Sequence, residues 1–157
     1  MSSSHASERR LTVEARAPDA IPFTSRTRVL LCDDMADMRL LMRLSLEQEP
    51  GFEIVGEADS GEATLSSLVD CEPDVALIDL SMPGMEGLEL ILRIRKLAPA
   101  VGIVVYSALM TPSVEARALD CGADRFLRKS APLWRLREVT RDVARERDAR
   151  ERPPTPL

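Results

Sequence analysis

Short apolar runs in this chain stop at residues that carry chemistry. VLLC is followed by Asp33-Asp34, VALI by Asp79, GIVVY by Ser107 and RFLR by Lys129. Singly, each has an ordinary reading: an acid after a strand caps a turn or a helix, and a lysine is solvated. Together they are three carboxylates, a hydroxyl and an ammonium. Three carboxylates do not gather without cations, because two like charges about 4 Å apart repel by roughly 4 kcal/mol at an effective dielectric of 20. Lys129 supplies one positive charge, and a divalent ion would bring the cluster close to neutral. Carboxylates with carbonyls and water suit Mg2+ or Mn2+, whereas zinc calls for His or Cys. A carboxylate beside such an ion, a lysine and a hydroxyl is equipped for phosphoryl chemistry. The carboxylate attacks phosphorus, the cations neutralise the equatorial oxygens, and the hydroxyl donates to one of them. Asp79 is the candidate nucleophile, because it ends the run expected at the centre of the fold.

The elements between these residues must bring them together. Apolar or alternating runs at 29–32, 52–58, 75–80, 101–108 and 125–129 read as strands. Amphipathic stretches at 38–49, 62–71, 88–98, 113–122 and 132–150 read as helices, with Pro50-Gly51, Pro99 and Gly122 as stops. Five strand-then-helix units predict an α/β fold, a five-stranded parallel sheet covered on both faces. Right-handed crossovers give a doubly wound sheet of order 2-1-3-4-5, the flavodoxin-like arrangement. Ligands in such sheets bind beyond the carboxyl ends of the strands. Four of the five ends carry a group from the set above, while the second strand, at the edge, ends in nothing of obvious chemical use. The expected organisation is an N-terminal arm at 1–27, a domain at 28–145 and a charged, proline-ending tail at 146–157. The apolar face of the last helix (Leu133, Leu136, Val139, Val143) fades after Ala144. The helix is then expected to overhang the domain, with Glu146 and Arg150 at i,i+4 spacing.

Composition narrows the classes. The chain has 157 residues, 45% hydrophobic and 30% charged, with a net charge of −5. That net balance gives no electrostatic invitation to nucleic acid or to acidic membrane, and leaves room for local basic patches. No apolar stretch approaches the ~18 residues needed to span a bilayer, and the N-terminus lacks the apolar core of a signal peptide, so a cytoplasmic location is expected. Cys32, Cys71 and Cys121 have no CxxC spacing and read as buried free thiols. The single histidine, His5, lies in the N-terminal arm, which removes Ser-His-Asp and Cys-His catalysis from consideration.

Over about residues 28–145, the motifs LLCDD, IDLSMPGMEG, VVYSA and GADRFLRK resemble the receiver domain of bacterial two-component response regulators. The run EPGFEIVGEADSGEATL is similar to receivers that normally carry a C-terminal helix-turn-helix domain. The resemblance implies that Asp79 is the phosphoacceptor. It makes Asp34 a direct Mg2+ ligand, with Asp33 acting largely through water and the backbone carbonyl of Ser81 completing the protein ligands. Ser107 becomes the switch hydroxyl and Lys129 the contact to the phosphoryl group. Phe126 matches the switch aromatic, against the plain reading of a core aromatic on a short strand.

Three departures from the family pattern matter. The usual proline after the lysine is absent: Lys129-Ser130-Ala131-Pro132 stands there. A cis Lys-Ser bond would cost about 2.5–4 kcal/mol, so it is not expected. The positions two residues after Asp79 and Ser107, which tune autodephosphorylation in the family, are Ser81 and Leu109. Leu109 cannot position a water, which predicts a long-lived phosphoryl group. Residues 130–157 are too few for an output domain, which needs at least about 50 residues. The expected protein is a stand-alone receiver, not an enzyme. A histidine kinase phosphorylates it, and its surface of fourth helix, fifth strand and fifth helix binds or releases a downstream protein. No direct DNA binding is expected, and homodimerisation through that face is a habit of the family. Two other readings stay open: a receiver-fold scaffold that no longer responds to phosphate, and a Mg2+-dependent phosphohydrolase working through an aspartyl phosphate.

Overall fold

The computed structural model describes residues 26–108 and 111–152. Ten elements alternate along the chain. They are β1 (Thr27–Cys32), α1 (Ala36–Glu47), β2 (Phe52–Ala58), α2 (Gly61–Cys71), β3 (Val75–Ile78), α3 (Gly87–Leu97), β4 (Gly102–Ser107), α4 (Pro112–Cys121), β5 (Arg125–Arg128) and α5 (Leu133–Glu151). The strands form one parallel sheet in the order β2-β1-β3-β4-β5. The expected α/β architecture and strand order are both present.

The strand sequences explain the two-sided cover. Along β1, Leu30 and Cys32 point to one face and Val29 and Leu31 to the other, and all four are fully buried. The first face packs against Leu68 of α2, Leu90, Ile91 and Ile94 of α3, and Ala118 of α4. The second packs against Met42 and Leu46 of α1 and Leu136, Val139 and Val143 of α5. Each Leu or Ile buried in this way contributes about 1.5–3 kcal/mol relative to exposure. A strand covered on both faces needs apolar residues throughout, which is why VALI has no polar position.

Helix ends follow local chemistry. Ser60 caps α2 by accepting from the Ala63 N–H, and Thr111 caps α4 by accepting from the Val114 N–H, with Pro112 as the first helical residue. Gly122 ends α4 at φ 117°, a left-handed conformation that glycine adopts without strain, and takes the position expected of it. Gly87 opens α3 directly beneath the turn that follows β3. A Cβ there would lie 2.7 Å from the Leu80 Cα and carbonyl oxygen. A residue without a side chain therefore lets α3 start close under the loop that carries Asp79.

Most boundaries lie within one or two residues of the sequence reading, and two differences carry a physical reason. β3 ends at Ile78 rather than at residue 80. The Asp79 N–H still donates to the Cys32 carbonyl, but the next donor, the Ser81 N–H, goes to the Asp79 carboxylate instead of to a neighbouring strand. The side chain thus ends the strand. The last helix is docked as far as Arg147, beyond the end of its apolar stripe, and only residues 148–152 are exposed throughout. It runs to Glu151, one residue beyond its expected end at residue 150. Glu146 pairs with Arg125 rather than Arg150, and Arg147 grips Asp124 with contacts of 2.7 and 2.9 Å. Arg147 also donates to the Pro99 carbonyl. Polar contacts dock the end of α5 where apolar ones have run out, and a hydrophobic pattern does not report them. Among the described residues no helix is long and apolar enough to cross a membrane, and no peptide bond is cis, so Lys129-Ser130 is trans.

Candidate functional site

The polar strand ends meet as the sheet order requires. Asp33 follows β1 and Asp79 follows β3, Ser107 ends β4, and Lys129 follows β5. Because β3 lies between β1 and β4, Asp79 sits between Asp33 on one side and Ser107 on the other. Asp33, Asp79 and Ser107 are buried, and Asp34 is exposed. Lys129 Nζ lies 2.7 Å from Asp33 Oδ2 and 2.9 Å from Asp79 Oδ2. Asp79 Oδ1 accepts from the Ser81 N–H at 3.0 Å and from Ser107 Oγ at 3.1 Å. Asp33 Oδ1 accepts from the Met35 N–H at 2.9 Å.

The ammonium is the cation this cluster needs. Burial by itself would lower the Lys129 pKa. Its contacts with Asp33 and Asp79, and their charges, outweigh burial and raise it. The lysine therefore stays charged across the neutral range. Its position is fixed from both ends: the backbone N–H donates to the Ser107 carbonyl, and the carbonyl accepts from the Tyr106 hydroxyl at 3.3 Å.

The donor set fits a hard divalent cation. One oxygen from each of Asp33, Asp34 and Asp79 lies within 4.8 Å of the others. Asp33 Oδ2 is buried and takes no aligned hydrogen bond from the described residues, although the Lys129 charge is close. That oxygen has capacity left for a cation. All the donors are oxygens, and exposed Asp34 opens the site to water, as Mg2+ prefers. An open cavity of about 350 Å³, lined by Ser107, Ala108, Arg128, Lys129 and Ser130, adjoins the cluster. A larger groove of about 400 Å³ lies at the other end of the sheet, beside Asp74 and Val101. Among the described residues it holds no converging acid and lysine set, whereas the smaller cavity shares Ser107 and Lys129 with the cluster.

The family Response regulator receiver domain matches this chain over residues 29–141. The chain belongs to the response regulator receiver family. This receiver is similar to the chemotaxis protein CheY of Thermotoga maritima, with 31% identity over 118 residues, covering 75% of this chain and 98% of that protein. It is also similar to a protein-glutamate methylesterase/protein-glutamine glutaminase of Cereibacter sphaeroides. There the identity is 37%, covering 66% of this chain and 29% of that protein, so the chain spans under a third of that relative's length. In structure it resembles the signal receiver domain of the response regulator NarL from Mycobacterium tuberculosis. The TM-score is 0.73 and the identity 32%, covering 76% of this chain and 97% of that one.

Asp33, Asp34, Asp79, Ser107 and Lys129 form one cluster in this receiver, and the Ser81 backbone joins it through its N–H. Phe126 is not in the cluster. It is half-buried on β5, paired in register with Val105, and packs against the core on the α3 and α4 side. Leu109 lies outside the described residues. Three contributors to the geometry escaped the sequence reading: Tyr106, Arg39 and Glu57. Tyr106 lies within the run 101–108 read as a strand. Glu57 belongs to the strand whose end was expected to carry nothing of use, and Arg39 lies in the first amphipathic stretch, which was expected only to cover the sheet. Nothing in their spacing distinguishes them, because each acts on a backbone group or on another of the three.

Proposed function

We propose that this receiver is a phosphorylation-controlled switch in two-component signalling, with Asp79 as phosphoacceptor. The observation that carries the reading is the placement of one buried carboxylate between a lysine at 2.9 Å and a hydroxyl at 3.1 Å, with two further acids alongside. An Asp79 oxygen forms the O–P bond as the P–N bond of a phosphohistidine in a histidine kinase breaks. The electron pair of that bond leaves with the imidazole, which takes up a proton from solvent. Asp33, Asp34, Asp79 and the Ser81 carbonyl would hold Mg2+, whose charge, when bound, neutralises phosphoryl oxygens. Lys129 pairs with one phosphoryl oxygen, and Ser107 donates to another, giving up its present bond to Asp79.

That exchange of partners by Ser107 is the local event, and β4 and α4 on either side of it carry the response. Phe126, on the strand beside β4, is proposed to change its packing in step. The face formed by α4, β5 and α5 then binds or releases a downstream protein or a second copy of the chain. The net charge of −5 argues for protein contact over DNA contact. Beryllium fluoride with Mg2+ tests the reading. Amide resonances are expected to shift at Ser107, along α4 and at Phe126. A spectrum left unchanged would contradict a switch and favour a scaffold of the same fold.

A further inference from the structure

The second strand ends without a member of the acid, hydroxyl and lysine set, yet it touches the site through α1. Arg39 Nη1 donates to the backbone carbonyl oxygen of Asp33 at 2.6 Å. A distance this short is that of a charge-assisted bond. Arg39 Nε lies 3.5 Å from Glu57 Oε1, near the end of β2; that nitrogen is buried and makes no aligned hydrogen bond among the described residues, so the contact is one of charge. Glu57 is held in turn by Arg43, at 3.0 Å. A line of contacts therefore runs from the Asp33 carbonyl through Arg39 to Glu57 and Arg43.

The carbonyl matters because it belongs to the peptide unit joining Asp33 to Asp34. That unit is planar, so fixing its oxygen fixes the direction in which the chain enters Asp34. Asp33 is already constrained. Its N–H donates to the Ala58 carbonyl, its Oδ1 accepts from Met35, and its Oδ2 faces Lys129. Asp34 is exposed, and no hydrogen bond or ion pair among the described residues reaches its side chain. Yet one of its oxygens lies within 4.8 Å of oxygens of Asp33 and Asp79. Backbone direction, not side-chain contact, puts it there.

We infer that Arg39 is a positioning residue for the divalent-cation site. It acts through the Asp33 carbonyl and holds the Asp33–Asp34 peptide in the orientation that turns Asp34 toward Asp33 and Asp79. Glu57 braces the guanidinium from behind. The inference rests on reading the three acids as a Mg2+ site. Without the clamp, the peptide samples other orientations, and restoring this one is charged against cation binding. Groups that orient metal ligands typically carry 10–100-fold in affinity, and about tenfold is expected here.

The test is a titration of the full chain with Mn2+, reading the signal of the free ion by electron paramagnetic resonance, with Mg2+ as competitor. The wild type is expected to take up one Mn2+ that Mg2+ displaces. Arg39→Gln and Arg39→Lys are both expected to bind about tenfold more weakly, since lysine keeps the charge but not the fork that reaches the carbonyl and Glu57 together. Arg93→Gln removes the same charge from the exposed face of α3, outside the line from Asp33 through Arg39 and Glu57 to Arg43, and is expected to stay within twofold. In EDTA the Asp34 amide nitrogen should move in the Arg39 variants while the urea midpoint stays close to wild type. Wild-type affinity in both Arg39 variants would overturn the inference and leave the Mg2+ reading standing. An equal loss in Arg93→Gln would also overturn it, by showing a general effect of charge. A wild type that takes up no Mn2+ would overturn the Mg2+ reading itself, and the inference with it.

Discussion

Lys129 Nζ bridges Asp79 Oδ2 and Asp33 Oδ2 at 2.9 and 2.7 Å, so one ammonium compensates two buried carboxylates that come from different strands. The balance is incomplete by design of the residues: Asp34 adds a third negative charge at the rim. The cluster is therefore stable enough to fold and still short of positive charge.

Removing the ammonium should expose that shortage. Lys129→Met leaves Asp33 and Asp79 buried without a cation, and breaking a buried pair in this way costs roughly 3 kcal/mol. Urea unfolding in EDTA is expected to show that loss. At a fixed Mg2+ concentration ten times the wild type's Kd, the wild type should gain about 1.4 kcal/mol, and the variant, whose uncompensated acids bind the cation more tightly, should gain more. No loss in EDTA, or equal gains with Mg2+, would contradict the charge accounting.

Ser107 donates to the oxygen of Asp79 that also accepts from the Ser81 N–H. Ser107→Ala removes the group proposed to follow the phosphoryl oxygen, while the acceptor and lysine remain. Labelling of Asp79 by a small phosphodonor should persist within a few-fold. The spectral response of α4 and Phe126 to beryllium fluoride should largely disappear. A variant that still shows the full response would remove Ser107 from the switch.

Arg147 separates two accounts of the last helix. It is largely buried against Asp124, which also accepts from Arg95 and from the Ile103 N–H. Arg147→Ala is expected to cost about 1–3 kcal/mol, the range for hydrogen bonds to charged groups. A frayed overhang would lose nothing. Urea midpoints of the two proteins decide between them.

Cys32 provides a prediction on the alkaline side. Burial pushes its thiol pKa up from 9.0 to about 12, partly offset by a hydrogen bond with Thr64. A folded-state pKa above the unfolded one means that this group's contribution is complete below about pH 9 and is lost as pH rises toward 12. The full difference amounts to about 4 kcal/mol. Stability should therefore fall between pH 9 and 12, and fall less in Cys32→Ala. At pH 8 a thiol reagent should leave Cys32 of the folded protein unlabelled and modify it only on unfolding. Rapid labelling of native Cys32 would contradict its burial.

Much of this was open to view in the chain itself, for a physical reason. Parallel strands covered on both faces must be apolar throughout, so VLLC, VALI and GIVVY announce themselves, and the polar residue after each marks the carboxyl end of its strand. Asp33, Asp79, Ser107 and Lys129 could be found because strand order then dictates that they meet. The sequence hides what does not alternate or repeat. Arg147 docks α5 through Asp124 after the apolar stripe has stopped. Arg39 holds a carbonyl, and every residue has a carbonyl, so no residue type marks the partner. Tyr106 looks like one more strand residue until its hydroxyl is seen on Lys129. Where β3 ends also depended on a side chain, since the Asp79 carboxylate captures the Ser81 N–H that would have continued the ladder.

The central claim is that Asp79 accepts a phosphoryl group, and intact-mass spectrometry tests it most directly. The wild type incubated with acetyl phosphate and Mg2+ is expected to gain one phosphoryl group, and to gain none in EDTA. Asp79→Asn, which retains the shape of the side chain but not its nucleophilic charge, is expected to gain none under either condition. A wild type that never gains the group, or a variant that gains it as readily as the wild type, would contradict the account.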